Sequence, residues 1–305
     1  MRANAPSGQQ IGISAGDQRV VVVEVGGGLR AYTAGDRELL DGYGEAEMAT
    51  AGRGQVLIPW PNRLQDGTYE FAGTRHHLPL TEPEARNAIH GLVRWAAWSV
   101  AEREAHRVVM QYRLHPQPGY PFSLELRIEY SLTDDGLRVA STATNVGGEA
   151  CPDGSGSHPY LDVGTETVDS AHLRAPGRTL LRFDGRGVPV SATPVEGTEY
   201  DFQQPRAIGA TKLDNAFTDL ERDDDGLARV ELRHPADGTE ITVWLDESYP
   251  YLQLFTGDSQ PSVSRRSLAV EPMTCPPNAF RTGERVLVLE PGRSTTAEWG
   301  ITYER

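Results

Sequence analysis

The clearest pattern of hydrophobic and polar positions lies between Phe122 and Leu132. Every second residue of this stretch is apolar and the residues between them are polar, which is typical of a β-strand with one face on a core and the other in water. A Thr-Asp-Asp-Gly segment follows as a turn, and Leu137–Asn145 can return as the antiparallel partner. The same design recurs between Arg229 and Asp246. These two segments predict β-hairpins.

Further short segments have the β-branched and aromatic composition of strands. They are Arg19–Glu24, Leu29–Thr33, Trp98–Glu102, Val108–Leu114, Tyr251–Thr256, Ser267–Glu271, Val286–Leu289 and Thr295–Tyr303. No window of a dozen residues has the apolar stripe of an amphipathic helix, and only Pro83–Asn87 and Cys275–Phe280 are candidates for brief helices. Many short strands without alternating helices predict an all-β protein, a large antiparallel β-sandwich.

The spacing of turn residues bears on the number of domains. Glycine and proline are frequent, with 32 and 21 residues, and they divide the chain into short elements. Neither a linker nor an internal repeat separates one part of the chain from another. We therefore predict a single domain over residues 10–305, with residues 1–9 disordered.

The net charge excludes one broad class of partner. The chain carries 29 Lys plus Arg against 43 Asp plus Glu, a formal net charge of −14. A nucleic-acid-binding surface needs a basic footprint, so we expect no nucleic-acid partner.

The first ten residues lack the apolar region of a signal peptide, and no apolar run approaches the roughly 20 residues of a membrane span. We expect a cytoplasmic protein with no membrane partner.

Few groups suit covalent or metal chemistry. Lys212 is the only lysine and hence the only candidate for a Schiff base. Cys151 and Cys275 are too few for a four-thiolate zinc site, and the sequence around Cys275 offers no feature that would activate a thiolate. Ser155 matches the GxSxG motif only in part, because the strand-turn-helix context is missing. With no Walker A, GxGxxG or HExxH motif, we expect neither a cofactor nor a metal.

Four residues stand out as candidates for chemistry. His90 lies in an apolar Asn-Ala-Ile-His-Gly-Leu segment, and His158 lies in a glycine- and serine-rich loop. Glu271 ends the apolar strand Leu268–Val270, where a carboxylate costs free energy unless it is paired, hydrogen-bonded or used. Asp214 lies in a Leu-Asp-Asn-Ala-Phe segment. Each has an ordinary structural alternative, as a core histidine, a solvent-facing strand end or a turn-capping aspartate.

These residues belong to an ordered series of short motifs. In chain order the motifs are IPWPNRL with Asn62 and Arg63, NAIHGL with His90, SHPYL with His158, LDNAF with Asp214, LQLFTG with Gln253, AVEPMTCPPNAF with Glu271, and a late LEPG turn. The series resembles the aldose 1-epimerase (galactose mutarotase) family, in particular a bacterial subgroup with the EPMT signature. The likeness runs from about Gln9 to the carboxyl terminus. It implies a galactose mutarotase-like supersandwich, in agreement with the strand pattern.

The resemblance also implies a role for each motif residue. His158 corresponds to the family's general acid, and Glu271 corresponds to its general base. The residues that correspond to holders of sugar hydroxyls are Asn62, Arg63, His90, Asp214 and Gln253. The implied activity is interconversion of the α and β anomers of a hexose by ring opening and reclosure. His158 needs a nearby negative charge to stay protonated at neutral pH, and we expect Asp214 to supply it.

Other functions stay open from the residues alone. A sugar-binding β-sandwich without chemistry would use the same pocket. A metal-dependent sugar isomerase or lyase would use side chains from the same set as ligands, namely His90, His158, Glu271 and Asp214. Glycoside hydrolysis needs two carboxyl groups at the scissile bond, and a His and Glu pair suits ring opening better.

The expected partner is a monosaccharide, either an aldohexose or a modified hexose, bound to a monomer or homodimer. The motifs leave the sugar open among glucose, galactose, phosphorylated hexoses and sulfonated hexoses. Aromatic rings can stack on a pyranose face, and the candidates for such a platform are Trp60, Trp95, Trp98 and Tyr160.

Overall fold

The structure is a computed structural model, and it describes residues 5–304. Its strands are β1 (Gln10–Ala15), β2 (Gln18–Val23), β3 (Leu29–Ala34), β4 (Arg37–Glu38), β5 (Val56–Leu57), β6 (Arg63–Gln65), β7 (Thr68–Phe71), β8 (Thr74–His77), β9 (Asn87–Ile89), β10 (Ser99–Arg103), β11 (Arg107–Leu114), β12 (Leu124–Thr133), β13 (Gly136–Asn145), β14 (Cys151–Asp153), β15 (Gly156–Ser157), β16 (Tyr160–Leu161), β17 (His172–Arg174), β18 (Gly177–Phe183), β19 (Pro189–Pro194), β20 (Arg206–Ala207), β21 (Asp214–Leu220), β22 (Ala228–Arg233), β23 (Glu240–Leu245), β24 (Tyr251–Phe255), β25 (Leu268–Met273), β26 (Leu287–Leu289) and β27 (Ser294–Glu304). The helical elements of this part of the chain are one 3₁₀ turn, Val168–Ser170, and α1, Ala279–Thr282.

Two large sheets form the body of the fold. The first has nine strands in the order β10-β11-β12-β13-β27-β23-β22-β17-β20. The second has eight strands in the order β19-β18-β21-β24-β25-β15-β5, with β16 paired to β25 as well. A four-stranded sheet, β1-β2-β3-β4, lies at the amino-terminal end of the chain. Neighbouring strands of the large sheets pair antiparallel, and the predicted β-sandwich class is confirmed.

The alternating segment that the sequence singled out forms β12. Its apolar positions are all buried, from Leu124 at 0% exposure to Leu132 at 1%, whereas the residues between them reach solvent. It pairs with β13 in a register that runs from Leu124 opposite Asn145 to Thr133 opposite Gly136. The second predicted hairpin forms β22 and β23. The alternation in the sequence therefore corresponds to a strand with one face on the core. Both predicted hairpins are confirmed.

The two predicted helices fare differently. The predicted helix Pro83–Asn87 is a turn that ends where β9 begins at Asn87, because Glu82 and Asn87 exchange both of their backbone hydrogen bonds, at 3.0 and 3.1 Å, across it. The predicted helix at Cys275–Phe280 begins only at Ala279. Asn278, which precedes it, has a left-handed φ of 69°, and its N–H donates to the carbonyl of Arg63, so the chain enters the helix late.

The core and the amino-terminal segment bear on the domain prediction. One apolar cluster contains side chains from Ile11 in β1 to Ile301 in β27, and a single domain over residues 10–305 remains our interpretation. The described part of the segment predicted to be disordered, residues 5–9, packs on the fold: Ser7 is fully buried, and its carbonyl accepts the N–H of Val25 at 3.0 Å. Residues 1–4 of that segment lie outside the described residues.

Between residues 5 and 304, no helix is long and apolar enough to cross a membrane.

Candidate active site

The eight-stranded sheet carries the polar motif residues into its interior. Every residue of β25 is buried, and Glu271 on this strand is only 2% exposed. Gln253 on β24 lies directly opposite Glu271 in the antiparallel pairing. Directly opposed residues of neighbouring strands project from the same face of a sheet. The Gln253 amide and the Glu271 carboxyl therefore lie side by side on one face.

His158 contacts Glu271 from the loop between β15 and β16. The Nε2 atom of His158 lies 3.4 Å from Oε1 of Glu271, and the two side chains are 5% and 3% exposed. The imidazole stacks on the ring of Tyr160 with centroids 5.0 Å apart and an angle of 12° between the planes. Strands β15 and β16 both pair with β25, which explains why a loop residue and a strand residue meet here.

A cavity of about 280 Å³ lies over this pair. All of the motif residues line it, namely Asn62, Arg63, His90, His158, Asp214, Gln253 and Glu271. Of the aromatic candidates for a sugar platform, Trp95 lines the cavity and is 54% exposed. The other three, Trp60, Trp98 and Tyr160, are at most 3% exposed and do not line it. The structure thus brings the predicted site residues together in one cavity. Of the four aromatic side chains predicted as sugar platforms, Trp95 is the one that faces this cavity.

Asn62 and His90 form a locked pair on the cavity wall. Both have left-handed backbone conformations, with φ of 56° and 62°. The backbone N–H of Asn62 donates to Nδ1 of His90 at 3.2 Å, and the N–H of His90 donates to the carbonyl of Asn62 at 2.9 Å. Burial, together with neighbouring His158, holds the pKa of His90 well below its usual range, so its ring is neutral. Because Nδ1 accepts a hydrogen bond, we assign the ring hydrogen to Nε2.

This tautomer bears on the metal-dependent alternative. Ligand atoms of His90, His158 and Glu271 lie within 4.8 Å of one another. A metal ion needs a nitrogen lone pair, yet His90 uses the lone pair of Nδ1 for Asn62 and presents an N–H at its other nitrogen. The arrangement therefore suits a donor to a sugar oxygen better than a ligand to a metal.

Arg63 is partly neutralised by a partner that the sequence did not reveal. Its Nε and Nη2 atoms donate to the two carboxylate oxygens of Glu82 at 2.9 and 3.1 Å, and Asn87 donates to the same carboxylate at 3.0 Å. Partial burial raises the pKa of Glu82, but these hydrogen bonds outweigh it and hold that pKa below its usual value. Glu82 also lines the cavity. Two of the five Arg63 donors are thus held by Glu82, which fixes the orientation of the guanidinium.

Arg94 is a second cation on the cavity wall that sequence reasoning missed. It follows the His90 motif closely in the chain, and its guanidinium lies 5.3 Å from the ring centroid of Trp95. Among residues 5–304 the Arg94 side chain has neither an ion pair nor a hydrogen bond, and burial lowers its pKa. The only sequence signal was its nearness to a motif. Its donors remain available for a ligand.

The charges around the central pair differ from expectation. Burial raises the pKa of Glu271 well above its usual range, and the nearby Asp214 charge raises it further. Burial lowers the pKa of His158 to about 3, and Arg94 acts in the same direction. The expectation that Asp214 keeps His158 protonated is wrong: Asp214 accepts a hydrogen bond from Gln253 at 2.8 Å, and its charge acts on Glu271. Burial therefore favours the neutral form of both groups, a protonated Glu271 and an uncharged His158.

Three residues that line the cavity carry buried polar atoms without a partner. Within the described chain, Oε2 of Glu271, Nδ1 of His158 and Oε1 of Gln253 are buried without a hydrogen bond. Buried polar groups in native proteins are nearly always satisfied, so unpartnered atoms on several side chains beside one cavity favour a polar ligand there. A polyhydroxylated molecule supplies both donors and acceptors to such atoms.

The nucleophile alternatives find no support. Cys275 is fully buried outside the cavity, and burial raises the pKa of its thiol, which suppresses the thiolate. Ser155 is buried as well, and its backbone N–H donates to Oγ1 of Thr274 at 2.8 Å. Neither residue lines the cavity that holds the motif residues.

The fold and the cavity together define a class, an antiparallel β-sandwich with a buried histidine-glutamate pair in a polar pocket. The family model named Aldose 1-epimerase matches residues 9–302, and the chain belongs to this family. The resemblance seen in the motifs is confirmed.

Individual relatives agree with this assignment. The Escherichia coli K12 protein YihR, itself uncharacterized, is 35% identical over 300 residues, which are 98% of this chain and 94% of YihR. The maltose epimerase of Levilactobacillus brevis is 27% identical over 183 residues, 53% of each chain. The crystal structure of a GalM/aldose epimerase homologue from Caenorhabditis elegans matches with a TM-score of 0.87 at 18% identity, over 97% of this chain and 99% of the other. This last likeness concerns the fold alone.

Proposed function

We propose that this protein is an aldose 1-epimerase that interconverts the α and β anomers of a hexose by general acid and base catalysis. The observation that carries the proposal is the contact of His158 with Glu271, 3.4 Å apart in a cavity lined by hydrogen-bonding groups. Membership of the aldose 1-epimerase family supports the reaction class. The maltose epimerase relative supports it further.

Mutarotation requires two proton transfers. One proton leaves the C1 hydroxyl, and one reaches the ring oxygen O5. As the C1–O1 bond becomes a carbonyl, the C1–O5 bond breaks and its electron pair goes to the protonated ring oxygen. Rotation about the C1–C2 bond presents the other face of the aldehyde, and the reverse transfers close the ring as the other anomer. The reaction balances without a further reactant.

One proton on the pair is enough for the whole cycle. With that proton on His158, the Glu271 carboxylate takes the hydroxyl proton while the imidazolium protonates the ring oxygen. The products are a protonated Glu271 and a neutral His158, which is the arrangement that burial favours. Ring closure returns both protons and restores the ion pair. The arrangement that burial favours is therefore the one that accompanies the open-chain aldehyde, and sugar binding must favour the ion pair for ring opening to begin.

The remaining cavity residues bind and orient the sugar. His90 offers the N–H of Nε2, and Gln253 offers Oε1 as an acceptor because its amide nitrogen is held by Asp214. Arg63 is permanently protonated, so it binds sugar oxygens and cannot exchange a proton. Trp95 at the rim offers an apolar face for the pyranose. A well-placed acid or base contributes about 10² to 10⁴ in rate, so the pair supplies roughly 5 to 11 kcal/mol if the two effects are independent.

The test is an anomer-exchange screen across a panel of aldoses by NMR saturation exchange, with Glu271→Gln as the blank. We expect at least one hexose to exchange faster with the wild-type protein than with the blank. Binding of a sugar with no exchange above the blank would favour the non-catalytic sugar-binding alternative. Activity that is lost in a chelator and restored by a divalent metal would favour the metal-dependent one.

A further inference from the structure

The wall of the cavity beside His158 is formed by backbone. Gly52 lines the cavity and has a left-handed φ of +80°. A Cβ atom at Gly52 would lie 2.6 Å from Cδ2 and 2.8 Å from Nε2 of His158, closer than a real Cβ approaches another heavy atom. The added atom would also lie 3.1 Å from Cγ, so Gly52 packs against a face of the imidazole, over Cδ2 and next to the Nε2 atom that contacts Glu271.

The imidazole has little room to move away from this contact. The N–H of His158 donates to the carbonyl of Gln55 at 3.1 Å, and the carbonyl of His158 accepts the N–H of Gly54 at 2.9 Å. The ring of Tyr160 covers one face, and the ring of His90 packs edge-on with centroids 5.4 Å apart. Any side chain at Gly52 would thus meet a ring that is held by its own backbone and by two other rings.

A second contact joins the same turn to the stacked ring. The hydroxyl of Tyr160 donates to the carbonyl of Ala51 at 2.8 Å. Ala51 also has a positive φ, of 54°, which brings its carbonyl to this position. The turn at Ala51 and Gly52 therefore packs on a face of the His158 ring and also holds Tyr160, whose ring stacks on the same imidazole.

We propose that Gly52 is a positioning residue for proton transfer by His158. The missing side chain lets the turn approach the ring, and the approach fixes Nε2 toward Glu271 and the anomeric centre. This inference rests on the proposed function, because it assigns a role within that same reaction. A catalytic group that is displaced by about 1 Å loses roughly 10²-fold in rate, so a small displacement of the ring is measurable.

The first test is Gly52→Ala, compared with Gly73→Ala as the matched control. Gly73 has a similar φ of +76° but no heavy atom within 4 Å of the added Cβ, so its substitution brings the backbone strain without the contact. For Gly52→Ala we expect kcat to fall about 10- to 100-fold with KM changed by less than about threefold. The side-chain NMR signals of His158, identified by their loss in His158→Asn, should shift. For Gly73→Ala we expect neither the fall in kcat nor the shift of the His158 signals. Its Tm should decrease about as much as that of Gly52→Ala.

A second variant guards against loss of folding in the first. Tyr160→Phe keeps the ring stacked on His158 and removes the hydrogen bond to Ala51. Because Tyr160 does not line the cavity, we expect KM to hold while kcat falls roughly 3- to 10-fold and the His158 signals shift. If Gly52→Ala does not fold, the kcat and the His158 signals of Tyr160→Phe decide whether the turn positions His158.

The outcomes separate the inference from the proposed function. Unchanged His158 signals in the folded variants would overturn the positioning role. A rise in KM with kcat retained in Gly52→Ala would also overturn it, because Gly52 would then only shape the sugar cavity. If the wild-type protein exchanges no aldose, the proposed function fails, while the His158 signals still report whether Gly52 fixes the ring.

Discussion

The Nε2 atom of His158 and the Oε1 atom of Glu271 lie 3.4 Å apart, although the two residues come from distant segments of the chain. The sheet makes this contact, because the strands on both sides of His158 pair with the strand that carries Glu271. Both side chains are almost completely withdrawn from water, and burial disfavours the charged form of each. Burial lowers the pKa of His158 and raises that of Glu271, so it favours the neutral form of each.

Removal of either member of the pair should abolish most of the catalysed anomer exchange. We expect Glu271→Gln and His158→Asn each to lower the exchange rate by at least about 10²-fold, because each loses one of the two proton transfers. The matched control is Glu240→Gln, since Glu240 is a partly buried carboxyl on β23 outside the cavity. NMR saturation exchange gives the rates, and thermal unfolding checks the fold. A folded variant with a near-normal rate would remove that residue from the mechanism.

Asp214→Asn should lower the pKa of Glu271. Asp214 raises that pKa by charge repulsion, and an asparagine oxygen retains the hydrogen bond from Gln253 while the charge disappears. Carbon-13 NMR of the glutamate carboxyl groups follows the titration, and the spectrum of Glu271→Gln identifies the resonance. A Glu271 titration that does not move to lower pH would show that Asp214 does not act on this carboxyl.

The strands that follow a strict alternation were predictable, and others were not. β12 lies with one face on the core and one in water, so its burial repeats every two residues and its sequence shows it. β18, β19 and β21 went unrecognised, although β21 carries Asp214. β21 begins with Asp-Asn, which favours a turn, and its burial does not alternate. Its strand character comes from pairing with β18 and β24.

The site shows the same limit. The motif residues could be chosen from the sequence because their order along the chain resembles that of a known family. Glu82 and Gly52 could not, since each matters through a contact with a residue on another segment, and Arg94 could not, since only the fold places it on the cavity wall. The direction in which Asp214 acts also depends on distances in space, and the sequence led to the wrong partner.

The pKa of His158 should make the stability of the fold depend on pH. The folded-state pKa is lowered from the usual 6.5 to about 3, so the fold favours the neutral ring and unfolding takes up a proton between these values. Stability from this group is complete above pH 6.5 and is lost as the pH falls toward 3, by up to about 1.4 kcal/mol per pH unit. His158→Asn should remove this slope.

Urea unfolding at several pH values between 7 and 4 measures that difference. His172→Asn serves as the control, because His172 is exposed on β17 and has no part in the cavity. As the pH falls, we expect the unfolding free energy of the wild type to decrease more than that of His158→Asn. Parallel curves for the wild type and both variants would mean that His158 is not held neutral.

Arg63→Ala should weaken sugar binding and destabilise the fold together. Arg63 lines the cavity and also forms the two-bonded pair with Glu82, which is 30% exposed and would be left without its cation. Loss of hydrogen bonds to charged groups costs about 1.5 to 3 kcal/mol, so we expect about tenfold to hundredfold weaker binding and a lower unfolding free energy. Calorimetric titration of the sugar in a Glu271→Gln background measures affinity without turnover.

Arg174→Ala separates the two effects. Arg174 pairs with Glu231 at 2.8 Å, with side-chain exposures of 33% and 25% that resemble those of the Arg63 pair, but it lies on the nine-stranded sheet away from the cavity. Its loss should lower the unfolding free energy and leave affinity alone, because no part of this pair faces the sugar. If Arg63→Ala only destabilises the protein and binds the sugar as tightly as before, Arg63 is a structural residue that orients Glu82 and not a sugar ligand.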